Sequence, residues 1–122
     1  MKNYVLIVIS SAGLLLAAPA QAGDAAAGAK VFKKCKACHY VDRKRNKSGP
    51  HLVNIVGRAA GAVEGFKYSK AMAGSGLVWD EATLAGFLAK PKKYLKGTKM
   101  SFSGLRKDTD IANVISYLKS RK

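Results

Sequence analysis

The sequence predicts an all-α fold, with a few short helices joined by long loops. Three observations lead there. Apolar residues recur at helical spacing in the last third of the chain. No stretch alternates apolar and polar residues as a half-buried strand would. The segment between Cys38 and Ser75 is rich in glycine and charge and poor in helix signals. Loops of that length in a small domain wrap something or serve a function.

The first 22 residues have the form of an export signal. Lys2 gives a short positive start, and an apolar stretch runs from Val5 to Ala18, broken by Ser10 and Ser11. Ala20-Gln21-Ala22 is a small-x-small cleavage site. Cutting after Ala22 leaves a domain over residues 23–122, 100 of the 122 residues. No other segment is long and apolar enough to span a membrane, so no stable insertion is expected after cleavage. No cysteine stands near the cut, which argues against a lipid anchor.

Four helical segments follow in order. The first starts at Asp24, an N-cap type, and runs through Ala25, Val31 and Phe32. A short second one covers Ser69 to Ala73. The third begins at Asp80 with Glu81 in its first turn, where a negative charge suits the helix dipole. Leu84, Phe87 and Leu88 form its apolar face, and Pro91 stops it. The fourth runs from about Thr109, with Ile111, Val114, Ile115 and Leu118 as an apolar stripe. Lys119, Arg121 and Lys122 close it with positive charge.

The domain is strongly basic, with 21 Lys and Arg against 7 Asp and Glu after loss of Lys2, a formal +14. Such a field speaks of partners: nucleic acid, anionic membrane or acidic proteins. Export argues against nucleic acid. The basic residues are also scattered from Lys30 to Lys122 rather than set on one arm.

The only two cysteines stand in Cys35-Lys36-Ala37-Cys38-His39. A redox dithiol belongs in a βαβ context, and here a helical segment precedes the pair. A structural zinc site needs about four ligands. Cys35, Cys38, His39 and His51 could supply them in number, but adjacent Cys38 and His39 make an awkward tetrahedral chelate. CxxCH is also the c-type haem attachment pattern. Two thiols at this spacing reach two vinyl groups of one porphyrin, and the adjacent imidazole falls under the iron. Haem attachment after an export signal is the reading favoured here. For the sixth iron ligand, Met100 lies in the non-helical run Gly97-Thr98-Lys99-Met100-Ser101-Phe102, while Met72 lies at helical spacing and reads as a packing residue. His51 follows Pro50 and reads as a surface histidine.

By this point the residues resemble class I cytochromes c, close to the mitochondrial and bacterial cytochrome c2 types, over the whole mature chain. The matching pieces stand in order: Gly28 and Phe32, then Cys35 to His39, Gly49-Pro50-x-Leu52, Gly57-Arg58, Gly65-Phe66-x-Tyr68-Ser69, Trp79, Pro91-Lys92-Lys93-Tyr94, Gly97-Thr98-Lys99-Met100-x-Phe102, and finally Val114 and Tyr117-Leu118. The resemblance implies a cytochrome c fold wrapped around one haem c bound through Cys35 and Cys38. It implies His39 and Met100 as axial ligands, and the Pro50 carbonyl as acceptor of the other imidazole N–H. Arg58, Tyr68 and Trp79 would hydrogen-bond the buried propionate or its surroundings. Gly28 and Phe32 would pack on Val114 and Tyr117. Four positions depart from the family pattern: Phe87 stands for a tyrosine, Met72 for an asparagine, Lys96 for a proline and Asn54 for a glycine. Phe87 and Met72 together imply a drier distal side, and Lys96 a looser methionine loop.

The function so implied is that of a soluble periplasmic electron carrier, monomeric and not an enzyme. Its donor would be a membrane quinol–cytochrome c oxidoreductase or another donor. Its acceptor would be a terminal oxidase, a photosynthetic reaction centre or another periplasmic reductase. Lys33, Lys34, Lys36, Lys93, Lys96 and Lys99 would ring the haem edge and meet acidic docking faces. The alternative is a haem enzyme or gas sensor in which Met100 leaves the iron open.

Overall fold

The computed structural model describes residues 12–13 and 23–122. The expected leader, residues 1–22, lies outside them apart from Ala12 and Gly13. Among the described residues five α-helices follow in order: α1 Ala25–Val31, α2 Lys70–Ala73, α3 Glu81–Ala89, α4 Pro91–Tyr94 and α5 Asp108–Lys119. A 3-10 turn, Phe32–Lys34, extends α1. Among the described residues there is no strand, only two isolated bridges, His39 with Asn46 and Ala59 with Val78.

Three of the helix starts are written in single residues. Asp24 accepts the backbone N–H groups of Ala26 and Ala27, Ser69 accepts that of Met72, and Asp80 accepts that of Thr83 at 2.7 Å. Each satisfies a donor that the first helical turn leaves unpaired. α5 has no side-chain cap, but Asp108 and Asp110 place negative charge in its first turn and Lys119 positive charge in its last.

The sequence predicts four helices, with Pro91 as a stop. Pro91 does end α3, but it also opens α4 as its first residue. Proline lacks only an N–H that the first turn does not use, and its fixed φ suits a helix start. Lys90, at φ −152° and ψ 81°, is the non-helical joint between the two.

The core is held by the first and last helices. α1 packs on α5 with Phe32 and Val114 each 2% exposed, and the rings of Phe32 and Tyr117 lie 5.4 Å apart. Gly28 is buried between the helices. A methyl added there would come within 2.8 Å of the Tyr117 Cβ and closer still to the Asn113 carbonyl. Before α1 the chain is tied down again: the Asp24 N–H donates to the Asn113 side chain at 2.8 Å. The Ser116 hydroxyl likewise donates to the Gly23 carbonyl at 2.8 Å. α3 lies along the other side of α5, with Leu84 and Phe87 inward. This three-helix frame leaves the long segments 35–69 and 95–107 to close over one side of it.

Candidate functional site

The two cysteines and His39 arise from one turn. After the 3-10 segment the chain keeps curling, so that the N–H groups of Cys38 and His39 both donate to the Cys35 carbonyl, at 3.1 and 3.0 Å. The next loop folds back under the imidazole. Gly49 donates its N–H to the Cys38 carbonyl at 2.9 Å and lies so close to the ring that a methyl would stand 2.8 Å from Nδ1. Only glycine fits there. The following residue supplies the partner: His39 Nδ1 donates to the Pro50 carbonyl at 2.6 Å. With Nδ1 carrying the proton, Nε2 is left with its lone pair, the form a metal can take. Burial pushes the His39 pKa down, the Pro50 carbonyl counteracts this, and Lys47 adds to the lowering. The imidazole is therefore held neutral. Burial also raises the Cys35 thiol, with the neighbouring Cys38 adding to it.

That turn forms one wall of a cavity of about 320 Å³. Cys35, Cys38, His39, Pro50, Arg58, Tyr68, Trp79 and Met100, which the sequence singles out, all line it. Most of the remaining lining is apolar, including Leu52, Leu84, Leu105 and Phe102. The residues come from segments as far apart as Cys35 and Met100, and tertiary ties hold them. Trp79 exchanges backbone hydrogen bonds with the Arg58 segment: its N–H donates to the Arg58 carbonyl and its own carbonyl accepts from Gly57, both at 2.8 Å.

Arg58 is half-buried and donates to the carbonyls of His51 and Val53, at 3.0 and 2.6 Å. Burial draws its pKa down from the ordinary arginine value, yet guanidinium stays charged at any accessible pH. The ion pairs among the described residues, Arg43 with Asp42 and Lys119 with Glu81, do not include it. A half-buried cation answered only by carbonyls fits an anionic group of a bound molecule. Tyr68 points the same way: its hydroxyl accepts from the Val63 N–H at 3.1 Å, which leaves its own proton to donate.

Met100 arrives on the loop after α4. Gly97 turns the chain at φ 91°, and the Met100 side chain packs half-buried against the core. Lys99 is fixed beside it, its ammonium donating to the Lys67 carbonyl and lying 5.0 Å from the Phe66 ring centre. Lys99 remains exposed while making these contacts. Lys33, Lys34, Lys36, Lys93 and Lys96 are exposed as expected.

A mainly apolar cavity with two thiols, a tethered imidazole and a thioether on its walls suits a large flat metallo-cofactor fixed through sulfur. Among the described residues no three His, Cys, Asp or Glu side chains gather as a metal site, so the donors for structural zinc are not together. The cytochrome c family model matches residues 25–122. This chain belongs to the cytochrome c family. It is therefore an electron-transfer protein rather than an enzyme, and the cofactor of the family is covalently attached haem c, whose CxxCH pattern is filled by Cys35, Cys38 and His39. Cytochrome c2 iso-2 of Magnetospirillum fulvum is 52% identical over 90 residues, 74% of this chain and 94% of its own length. Cytochrome c2 of Rhodomicrobium vannielii is 44% identical over 119 residues, 97% of this chain and 95% of its own. Cytochrome cH from Methylobacterium extorquens superposes with a TM-score of 0.78 at 46% identity, covering 81% of this chain and all of that one.

Within this cytochrome the family departures have clear places. Phe87 is buried, its ring 4.9 Å from that of Trp79 and 6.4 Å from that of Tyr94. Met72 lines the cavity from α2. Asn54 adopts φ 54°, the left-handed region that glycine favours and asparagine tolerates. Sequence reasoning missed the work of Asn46. Its backbone bridges His39, and its side chain accepts the His51 N–H at 3.0 Å, so it buttresses the strand of chain that carries the Pro50 carbonyl. No local signal in the sequence marks it, because the contact joins two irregular segments.

Proposed function

We propose that this cytochrome is an exported one-haem electron carrier, with residues 1–22 as its cleaved leader and the periplasm as its compartment. Cys35 and Cys38 would hold the haem by thioether bonds, and His39 Nε2 and the Met100 sulfur would be its iron ligands. Arg58, Tyr68 and Trp79 would receive its buried propionate. When bound, the haem supplies reversible one-electron exchange at its iron. The chain does the rest. Pro50 holds the His39 ring in one orientation and one tautomer, so the donor need not reorganise between oxidation states. The apolar lining excludes water, which disfavours the extra charge of the oxidised form.

The observation that carries this reading is the tethered imidazole. His39 is donated into place by Nδ1, free at Nε2, and faces the same cavity as Met100. The alignment with the cytochrome c2 of R. vannielii, which extends over 119 residues, supports the exported form. The exposed lysines around the Cys35 and Met100 segments suit acidic faces on a quinol–cytochrome c oxidoreductase as donor and on a terminal oxidase, reaction centre or periplasmic reductase as acceptor. Such encounters are fast, weak and screened by salt. The test is the rate of electron exchange with a membrane oxidoreductase across ionic strength. A steep fall is expected, and a flat profile would overturn the docking model. Separately, Met72→Ala should keep the sulfur-to-iron charge-transfer band and Met72→Ala combined with Met100→Ala should lose it, and a band that survives the double substitution would remove Met100 from the ligand set.

A further inference from the structure

A second thioether lines the cavity, and the function above does not use it. Met72 is half-buried and packs against the core, on the short helix α2. Its backbone is pinned on both sides: its N–H donates to the Ser69 hydroxyl at 3.1 Å, and its carbonyl accepts from the Ser75 hydroxyl at 2.9 Å. α2 also abuts the loop that carries Met100. A methyl on Gly97 would touch the Ala71 Cβ at 3.1 Å, and Lys99 donates across to the Lys67 carbonyl. The segments 66–73 and 97–100 are thus clasped together, and each delivers one sulfur to the same cavity.

We propose that Met72 is a reserve axial ligand, which takes the iron when Met100 leaves it. This rests on Met100 being the resident ligand. Three physical points support it. A methionine side chain is unbranched, with three rotatable bonds, and adapts to irregular space. A thioether enters an apolar cavity without the desolvation cost that a lysine ammonium would meet. Two other candidate donors are also engaged elsewhere, since Lys99 is bonded to Lys67 and lies over Phe66, and His51 accepts the Val53 N–H through Nδ1. The exchange is a ligand substitution: one iron–sulfur bond breaks and another forms, with no change in oxidation state and no proton moved. Its result is a carrier that stays six-coordinate, and closed to small ligands, through excursions of the 97–100 loop.

The test compares haem-loaded Met100→Ala, Met72→Ala and the double variant by absorption in the red, spin state and carbon monoxide affinity. Met100→Ala is expected to regain a sulfur-to-iron charge-transfer band and a low-spin iron, and the double variant to lose both. Carbon monoxide should bind the ferrous double variant about tenfold more tightly than Met100→Ala, because an internal competitor is gone. If Met100→Ala is high-spin and matches the double variant in carbon monoxide affinity, the reserve role is overturned while Met100 remains the resident ligand. If Met72→Ala alone loses the band, Met72 is the resident ligand and both assignments fall. Should Met100→Ala not load haem, Met100→Gln preserves the loop volume with a weak oxygen donor, and the same comparison is read from it with and without Met72→Ala.

Discussion

The Lys99 ammonium donates to the carbonyl of Lys67 while lying over the Phe66 ring. This tie joins the loop of the proposed methionine ligand to the loop before α2. Truncating it should loosen that loop more than it weakens docking. Lys99→Ala is expected to destabilise methionine ligation by about 1 kcal/mol, the scale of a partly exposed cation–ring and carbonyl contact. Following the sulfur-to-iron band against denaturant checks this. Lys96→Ala, whose ammonium is free of such contacts in the hydrogen bonds described, should instead leave the band alone and flatten the salt dependence of electron exchange.

The α1–α5 crossing depends on a missing side chain. A Cβ at Gly28 would collide with the Asn113 carbonyl and the Tyr117 side chain, both on α5 and neither able to swing away freely. Gly28→Ala should cost about 1–3 kcal/mol through overpacking, despite the better helix propensity of alanine. A lowered denaturation midpoint with an unchanged slope would verify it.

Asn54 occupies a left-handed conformation, its N–H donating to the Arg121 carbonyl at 3.0 Å. Glycine accepts that conformation at no steric cost. Asn54→Gly should therefore hold or slightly raise stability, while Asn54→Val should lower it by about 1–2 kcal/mol. The ordering of the three thermal midpoints is the readout.

His51 is held below the ordinary imidazole pKa, chiefly by burial and then by the charges of Arg58 and Lys44. Its Nδ1 also accepts the Val53 N–H, a bond that protonation would break. The unfolded chain therefore takes up a proton more readily than the folded one. The stabilisation is complete above about pH 6.5, the unperturbed value, and is lost as pH falls below it. An NMR titration of His51 should give a midpoint below that of a free histidine, and His51→Asn should make the acid decline of the thermal midpoint shallower.

The helix starts were legible because their information is local: Asp24, Ser69 and Asp80 each bond the turn that follows them. Pro91 was read as a stop because the sequence shows what proline forbids to the preceding helix more plainly than what it permits to the next. The CxxCH turn and the Met100 loop stood out by residue type. What escaped was contact across loops. Nothing in the order of residues reveals that Asn46 returns beneath His39, or that Phe66 and the Lys67 carbonyl wait for Lys99, because such meetings depend on how two irregular segments pass each other in space.

The clasp between the first and last helices also reaches the cysteine turn. Asp24 is bonded to Asn113, 89 positions later, and Phe32 is sealed by side chains from the final helix. Closing so long a loop carries an entropy cost that contacts within one helix do not. Until residues 108–119 arrive, the turn that follows Phe32 has no frame beneath it. In the folded chain Cys38 is exposed and Cys35 half-buried, so the docking of α5 sets the position of the two thiols without sealing them from solvent.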